Sequence, residues 1–414
     1  MKNVLYITYD GLTDPLGQSQ ILPYLQHLTE QGYRFTILSF EKRFRFEKES
    51  KVVQDIVDRA GIKWVPLFFT SKPPILSKLY DRYRMWQTAL GLHRQHHFDL
   101  VHCRSYVAAE MGLRLKQKYG VKMLFDMRGF WADEKVDNGQ WDLNKVLFKQ
   151  IYKTYKAKER QFLLHADGIV SLTQAAKDYL LQQKEYGHLL IDVIPCCADL
   201  AHFDYENVPV QKVEEVRNRL GISASTKVIT YLGSIGGWYM TKEMFRFFSI
   251  LYQHHPEYVM LILTKDNPEI VKAEAAEAGI PREKVLVTYS TREDLPAYLS
   301  LCHCSLFFIR NTFSKTASSP TKHAELMGMG IPVICNDIGD TGNIIRDTGT
   351  GFVINEFDDK SITEAVQALA ALEHIDKSYI RQCACNVFDL KAGVERYSNV
   401  YSRIFENKKE AVRI

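Results

Sequence analysis

The residues best placed to do chemistry lie in short runs that follow apolar, β-rich segments. The densest run is SSPTKHAELMGMGIPVICND, which starts at Ser318. Ser319 and Pro320 precede a helical pattern there, and proline suits a first helical turn because its φ is fixed and it has no N–H to satisfy. The amides of Thr321, Lys322 and His323 would then point off a helix start, where unpaired N–H groups and the helix dipole favour a diphosphate. Lys322 would add charge, and Glu325, further along the same short helix, could accept two ribose hydroxyls. Gly330 ends the helix before a new apolar run, Pro332–Cys335. A diphosphate-and-ribose clamp fits this pattern; a helix that is merely capped would also explain Pro320 and Gly330.

Three further loops share that placement. After the first apolar run comes GLTDPLGQSQ, where Gly17 before Gln18 and Ser19 allows close backbone approach at a helix start. It is neither a Walker loop nor a G-x-G-x-x-G fingerprint, and an ordinary strand–helix turn stands beside a ligand loop as its reading. His102 and Arg104 end one run, while FDMRGFWADE brings Asp126, Arg128, Trp131 and Glu134 to the end of the next. Those types suit phosphate pairing, hydrogen bonds to sugar hydroxyls and an aromatic wall for a sugar ring. They would equally form a closed structural network in which Asp126 pairs with Arg128. Finally, YLGSIGGWY places Gly233, Ser234 and Gly236 directly after a strand, suited to close approach of a phosphate or sugar but without a cation. Arg310, just after the FFI run, is the candidate to supply that charge; an ordinary surface arginine is the alternative.

The elements that must position these loops alternate. Strands are expected at Val4–Thr8, Phe35–Ser39, Ile62–Pro66, Leu100–His102, Met123–Asp126, Gly168–Ser171 and Val193–Pro195, with helices near 18–30, 47–60, 77–95, 105–119, 143–164 and 173–184. Strand-then-helix repetition predicts an α/β fold with a mostly parallel sheet covered on both faces. The pattern loosens after Pro195 and restarts at Lys227–Leu232, continuing through Tyr258–Leu263, Lys284–Thr288, Ser305–Ile309, Pro332–Cys335 and Gly351–Ile354. Helices near 239–254, 268–278, 292–299, 321–329 and 359–372 fit between. The chain thus divides into a Rossmann-like domain over 1–200, a second over 201–385, and a helical segment, 386–414, that packs back on the first through Phe388, Tyr397, Tyr401, Ile404 and Phe405. Ligands in open α/β sheets bind beyond the carboxyl ends of the strands, so two facing doubly wound domains would place their loops around one cleft.

Composition limits the rest. The chain has 414 residues and a formal charge of +4, too small for a nucleic-acid binder. Basic residues cluster at Lys149, Lys153, Lys156, Lys158 and Arg160, a solvated helix face or a weak contact with anionic lipid. The eight cysteines lack the spacing of structural zinc and read as buried thiols in a reducing cytoplasm. MKNVLYITYDG reads directly as a first strand, and no apolar run is long enough to cross a bilayer. No D-x-D pair is placed to hold a metal.

The quoted segments resemble glycosyltransferase family 4, retaining transferases of the GT-B fold. SSPTKHAELMGMGIPVI is similar to its donor-binding signature, and GLTDPLGQSQILPYLQHLTEQG to the opening of a bacterial polysaccharide-synthesis branch. The resemblance implies that Glu325 binds the ribose of a nucleotide-sugar and that the backbone at its helix start holds the diphosphate. Gly17, Gly233, Ser234, Gly236, Ser319, Pro320, Thr321 and Lys322 would complete the donor site. It further implies no enzymic nucleophile, no metal and no tightly bound cofactor, with a UDP- or GDP-sugar as co-substrate. The catalytic groups would be Arg310, which stabilises the leaving phosphate, and His102, Asp126 and Arg128, which organise sugar or acceptor. The acceptor expected is a glycan or lipid-linked glycan at the inner face of the membrane. Two departures stand out. The family's E-x7-E pair has only its second member here, Ala317 standing in the first place, and the glycine loop lacks the family's Arg and Lys. A nucleotide-sugar epimerase, an inverting transferase of the same fold, and a non-catalytic sugar-binding module remain as alternatives.

Overall fold

The computed structural model describes residues 1–406, apart from the side chains of Pro74 and Ile75; the last part of the expected 386–414 segment, 407–414, lies outside the described residues. The chain forms two compact units. One comprises Met1–Pro195 together with the helix Leu390–Glu406, the other Cys196–Asp389.

The first unit holds β1 (Lys2–Thr8), β2 (Tyr33–Glu41), β3 (Lys63–Phe68), β4 (Leu100–Arg104), β5 (Lys122–Asp126), β6 (Gly168–Ser171) and β7 (Ile191–Val193), all parallel, in the order β3-β2-β1-β4-β5-β6-β7. The second holds β8 (Lys227–Leu232), β9 (Tyr258–Leu263), β10 (Val285–Thr288), β11 (Cys304–Phe307), β12 (Val333–Asn336) and β13 (Gly351–Ile354), also parallel, in the order β10-β9-β8-β11-β12-β13. Both are doubly wound. Helices cover both faces, so the central strands β4, β9 and β11 are buried along their whole length, His102 and Arg104 of β4 included.

Local differences from the sequence expectations have identifiable causes. The single helix expected near 18–30 is two, Pro15–Gln20 and Leu22–Glu30, because Pro23 has no N–H to give the carbonyl of Ser19. Within the segment read as a loosened joint lies the helix Val210–Leu220, whose one buried residue, Val216, leaves too thin an apolar stripe to be read as periodicity. Helices Trp131–Asp137, Thr341–Thr348 and Lys377–Phe388 were also not anticipated. The last of these takes Phe388 out of the final helix; its ring lies 5.2 Å from that of His323 in the second unit.

The final helix, Leu390–Glu406, packs on the first unit through aromatic edges. Tyr397 meets Tyr24 edge-on at 5.6 Å and Tyr401 meets Tyr33 at 4.9 Å. Its two tyrosine hydroxyls reach under the sheet: Tyr397 donates to Asp126 at 3.1 Å, and the Tyr401 hydroxyl lies 2.7 Å from Nδ1 of His102. Tyr401→Phe removes the only hydroxyl facing that buried imidazole nitrogen among the described hydrogen bonds. A buried polar group left without its partner costs about 1–3 kcal/mol. Urea unfolding of Tyr401→Phe is therefore expected to begin at lower denaturant than wild type; an unchanged transition would show that the hydroxyl does not hold the helix.

Candidate functional site

A parallel sheet that winds outward in both directions has one place where neighbouring strands send their following loops to opposite faces, and ligands bind in the crevice this opens. In the second unit it lies between β8 and β11, in the first between β1 and β4. The loops that follow these strands carry most of the residues singled out from the sequence.

In the second unit the loop after β8 runs from Gly233 to Met240. Gly233 has φ of 132°, a conformation that favours glycine, and a Cβ there would sit 2.6 Å from Nζ of Lys322. The loop is pinned to its surroundings. The Ser234 carbonyl accepts the Tyr231 hydroxyl, and the Gly236 N–H donates to Oγ1 of Thr241 at 2.8 Å. The amide hydrogen of Gly236 is thus committed to Thr241. From the β11 side, Arg310 donates its backbone N–H to the Trp238 carbonyl at 2.9 Å and a guanidinium N–H to the Gly237 carbonyl at 3.1 Å. Its side chain is therefore held along the glycine loop while remaining exposed.

The helix Thr321–Gly328 starts on the same side. Pro320 is its N-cap, one place earlier than expected, and no side chain caps the start. Ser319, expected to serve the donor, accepts the Cys196 N–H at 3.1 Å instead of capping the helix. Glu325 is well covered, its side chain 13% exposed, and its nearest cation is Arg292 at 3.8 Å. Burial raises its carboxyl above the ordinary range, opposed first by Arg292 and then by Lys322. The side chain is therefore not part of a solvated lysine pair on a helix surface. Lys322 is 6% exposed, and its Nζ makes no hydrogen bond within the protein. It lies 4.3 Å from the Tyr231 ring centre and 3.6 Å from that of Tyr239. Ala317, in the place of the absent glutamate, is buried at the end of the 3-10 turn Phe313–Ala317.

In the first unit the loop after β1 is organised by Glu41 at the end of β2. Its carboxylate, 0% exposed, accepts the Leu12 N–H at 2.8 Å, the Thr13 N–H at 3.2 Å, and the hydroxyls of Thr13 and Ser39, each at 2.6 Å. Four donors fill the carboxylate's lone-pair sites. Gly17 is buried in the helix that follows, and a Cβ there would strike the Gly11 carbonyl oxygen at 2.2 Å. What stands close to Gly17 on the side a Cβ would occupy is thus the loop's own backbone.

His102 and Asp126 are 2% and 1% exposed. They stand 3.5 Å apart, with Arg104 3.9 Å and Arg128 3.8 Å from the Asp126 carboxylate, and Tyr397 and Tyr401 close the network from the final helix. Burial pushes His102 below its usual value and leaves a neutral imidazole. Burial alone would raise Asp126, but Arg128, then His102 and Arg104, hold it below the ordinary carboxylate range. Nε2 of His102 and Oδ1 of Asp126 remain buried without a hydrogen-bond partner in the protein, so the network leaves one polar atom open on each. Arg128 differs: it is half-buried, and its φ of 59° holds a non-glycine residue in the left-handed region beyond β5. Ser105, after β4, has φ of 66°.

The basic helix face is largely neutralised. Lys156 donates to Asp133 at 2.9 Å and to Glu159, Lys158 to Glu110 at 2.9 Å, and Arg160 pairs with Glu185. Lys149, Lys153 and Arg160 are the exposed members of that run. Sequence reasoning also passed over Glu41, Arg292 and Lys315. Lys315 is buried with Nζ 3.9 Å from the Trp238 ring centre, which places a third cation beside the glycine loop. The signal for Glu41 was a lone carboxylate ending an apolar strand; Arg292 and Lys315 had none, because each reaches the site from a segment without a motif.

Residues 20–202 match the family model Glycosyltransferase Family 4, and residues 212–383 match Glycosyl transferases group 1. The D-inositol 3-phosphate glycosyltransferase of Rhodococcus jostii is 20% identical over 284 residues, 67% of this chain and 60% of that protein. The chain thus matches about 60% of the length of its curated relatives. Among solved structures, sucrose-phosphate synthase from Thermosynechococcus elongatus gives a TM-score of 0.72 at 15% identity, covering 98% of this chain and 99% of that one. Anabaena HepE in complex with UDP and glucose gives 0.68 at 14%, covering 97% and 100%. At these identities the structures share the fold. With a matching family model over each of its doubly wound units, the chain belongs to glycosyltransferase family 4 and has the GT-B fold.

Proposed function

We propose that this protein transfers a sugar from a UDP- or GDP-sugar to a hydroxyl of a glycan or lipid-linked glycan, with retention of configuration, in polysaccharide biosynthesis. The observation that carries this reading is the second unit's crevice, where an uncapped helix start at Thr321 and the covered carboxylate of Glu325 stand across from the Gly233–Met240 loop. Helix-start amides and a dipole suit a diphosphate, and a carboxylate one turn on suits the paired hydroxyls of a ribose. The presence of UDP and glucose in the Anabaena structure makes uridine donors the first to test.

In this reading the chemical step needs position and charge rather than an enzymic nucleophile. Negative charge grows on the leaving diphosphate as the bond to the sugar breaks. The Thr321 amide, Arg310 and Lys322 would meet that charge, and groups fixed in advance stabilise it without reorganising during the reaction. The first unit supplies the acceptor side, with Arg128 as the candidate contact and His102 and Asp126 positioning it from beneath.

Glu325→Ala is expected to weaken binding of UDP- or GDP-sugars by about 10- to 150-fold for each charged hydrogen bond lost, at about 1.5–3 kcal/mol apiece. The ribose takes no part in bond making, so the loss belongs mainly to binding. Calorimetric titration of a correctly folded mutant checks this, and unchanged affinity removes the ribose assignment. Arg310→Ala is expected to lower kcat more than it raises KM, because its charge matters most as the leaving phosphate forms. An equal effect on donor binding alone would place it in ground-state recognition instead. Donor turnover that depends on added acceptor separates transfer from epimerisation.

A further inference from the structure

Lys322 is built unlike a surface phosphate-binding lysine. Its stem is buried, its Nζ has no hydrogen-bond partner in the protein, and two tyrosine faces flank it at 4.3 and 3.6 Å. Above it passes the Gly233 backbone, where the absence of a Cβ leaves Nζ room. The groups facing it are few. Tyr231 comes from β8, Tyr239 from the glycine loop and Glu325 from its own helix, and Glu325 is in turn approached by Arg292 at 3.8 Å. Asp266, further off, acts on Tyr231 and accepts the Ile235 N–H. Ring faces attract a cation, but they give an ammonium none of the three acceptors that water would.

We infer that Lys322 is the counter-charge of the donor diphosphate and that it takes up a proton as the donor binds, so that donor recognition is proton-linked. The inference rests on the proposed donor site in the second unit. In the protein without donor, burial pushes the amine down to about 7, with Glu325 acting in the opposite direction. Above that pH most molecules carry a neutral amine. A diphosphate held at the Thr321 helix start favours the charged form, so binding draws one proton from solvent onto Nζ. By linkage, affinity then falls as pH rises, approaching tenfold per pH unit while the donor-free amine is neutral and the donor-bound one charged. The Tyr231 and Tyr239 hydroxyls stay protonated throughout, because burial raises both, Tyr239 to about 12.

The test is calorimetric titration of the full chain with UDP-glucose and GDP-mannose, whose diphosphates carry no proton that titrates near neutrality. At pH 8, measurement in two buffers of different ionisation enthalpy reads the protons taken up. Wild type is expected to take up close to one proton and to lose affinity between pH 7 and pH 9. Lys322→Met should take up none and bind about 10- to 150-fold more weakly at pH 6.5. Lys322→Arg guards against a folding artefact, since its guanidinium remains charged throughout: it should bind with no uptake and a flat pH profile. Binding by wild type without proton uptake, or undiminished uptake in Lys322→Met, overturns the linkage and leaves the donor site standing. Failure of wild type to bind either nucleotide-sugar overturns the donor site and this inference with it.

Discussion

The constraint on which everything else depends is the handedness of the β-α-β crossover. Strand twist makes the right-handed connection the one that packs helix on sheet, so a parallel sheet covered on both faces must start in its middle and wind outward in two directions. Where the directions part, two adjacent strands release their loops to opposite faces, and the backbone groups at those ends have no neighbouring ladder to fill. The protein uses this twice, at β1/β4 and at β8/β11. Its functional residues are not adjacent in sequence because the crevice is made by strands far apart in the chain.

The two crevices are finished differently. In the first unit the loop after β1 is filled internally: Glu41 takes four donors, Gly17 packs on the backbone of Gly11, and two tyrosines of the last helix reach the buried His102–Asp126 pair. Polar groups buried in this way fix geometry, because any rearrangement would strand a donor or a charge. The second unit leaves valences open. The Thr321 helix start is uncapped, the Lys322 amine has no acceptor, and the Arg310 guanidinium lies along the glycine loop in solvent.

The departures from the family pattern fit this division. The glycine loop lacks its own cation, yet Lys322, Arg310 and Lys315 all approach it from the segment after β11. A buried alanine stands at position 317, where the resemblance implies a glutamate.

By itself the sequence determined the doubly wound class, most strands to within two residues, and the helix that carries Lys322 and Glu325. Each of these follows from local periodicity, or from proline and glycine at helix ends, and needs no knowledge of distant partners. Thin or short elements escaped: Val210–Leu220 buries a single residue, and Leu22 starts a new helix only because of Pro23. Tertiary structure alone decided what the polar residues do. His102 and Asp126 looked like open site groups until residues some 270 to 300 positions away covered them. Lys322 read as an added charge at a helix start, and only the fold shows Tyr231 and Tyr239 enclosing it. The physical reason is that burial and partnership set a side chain's charge and reach, and both are properties of neighbours brought in by the fold rather than of the residue itself.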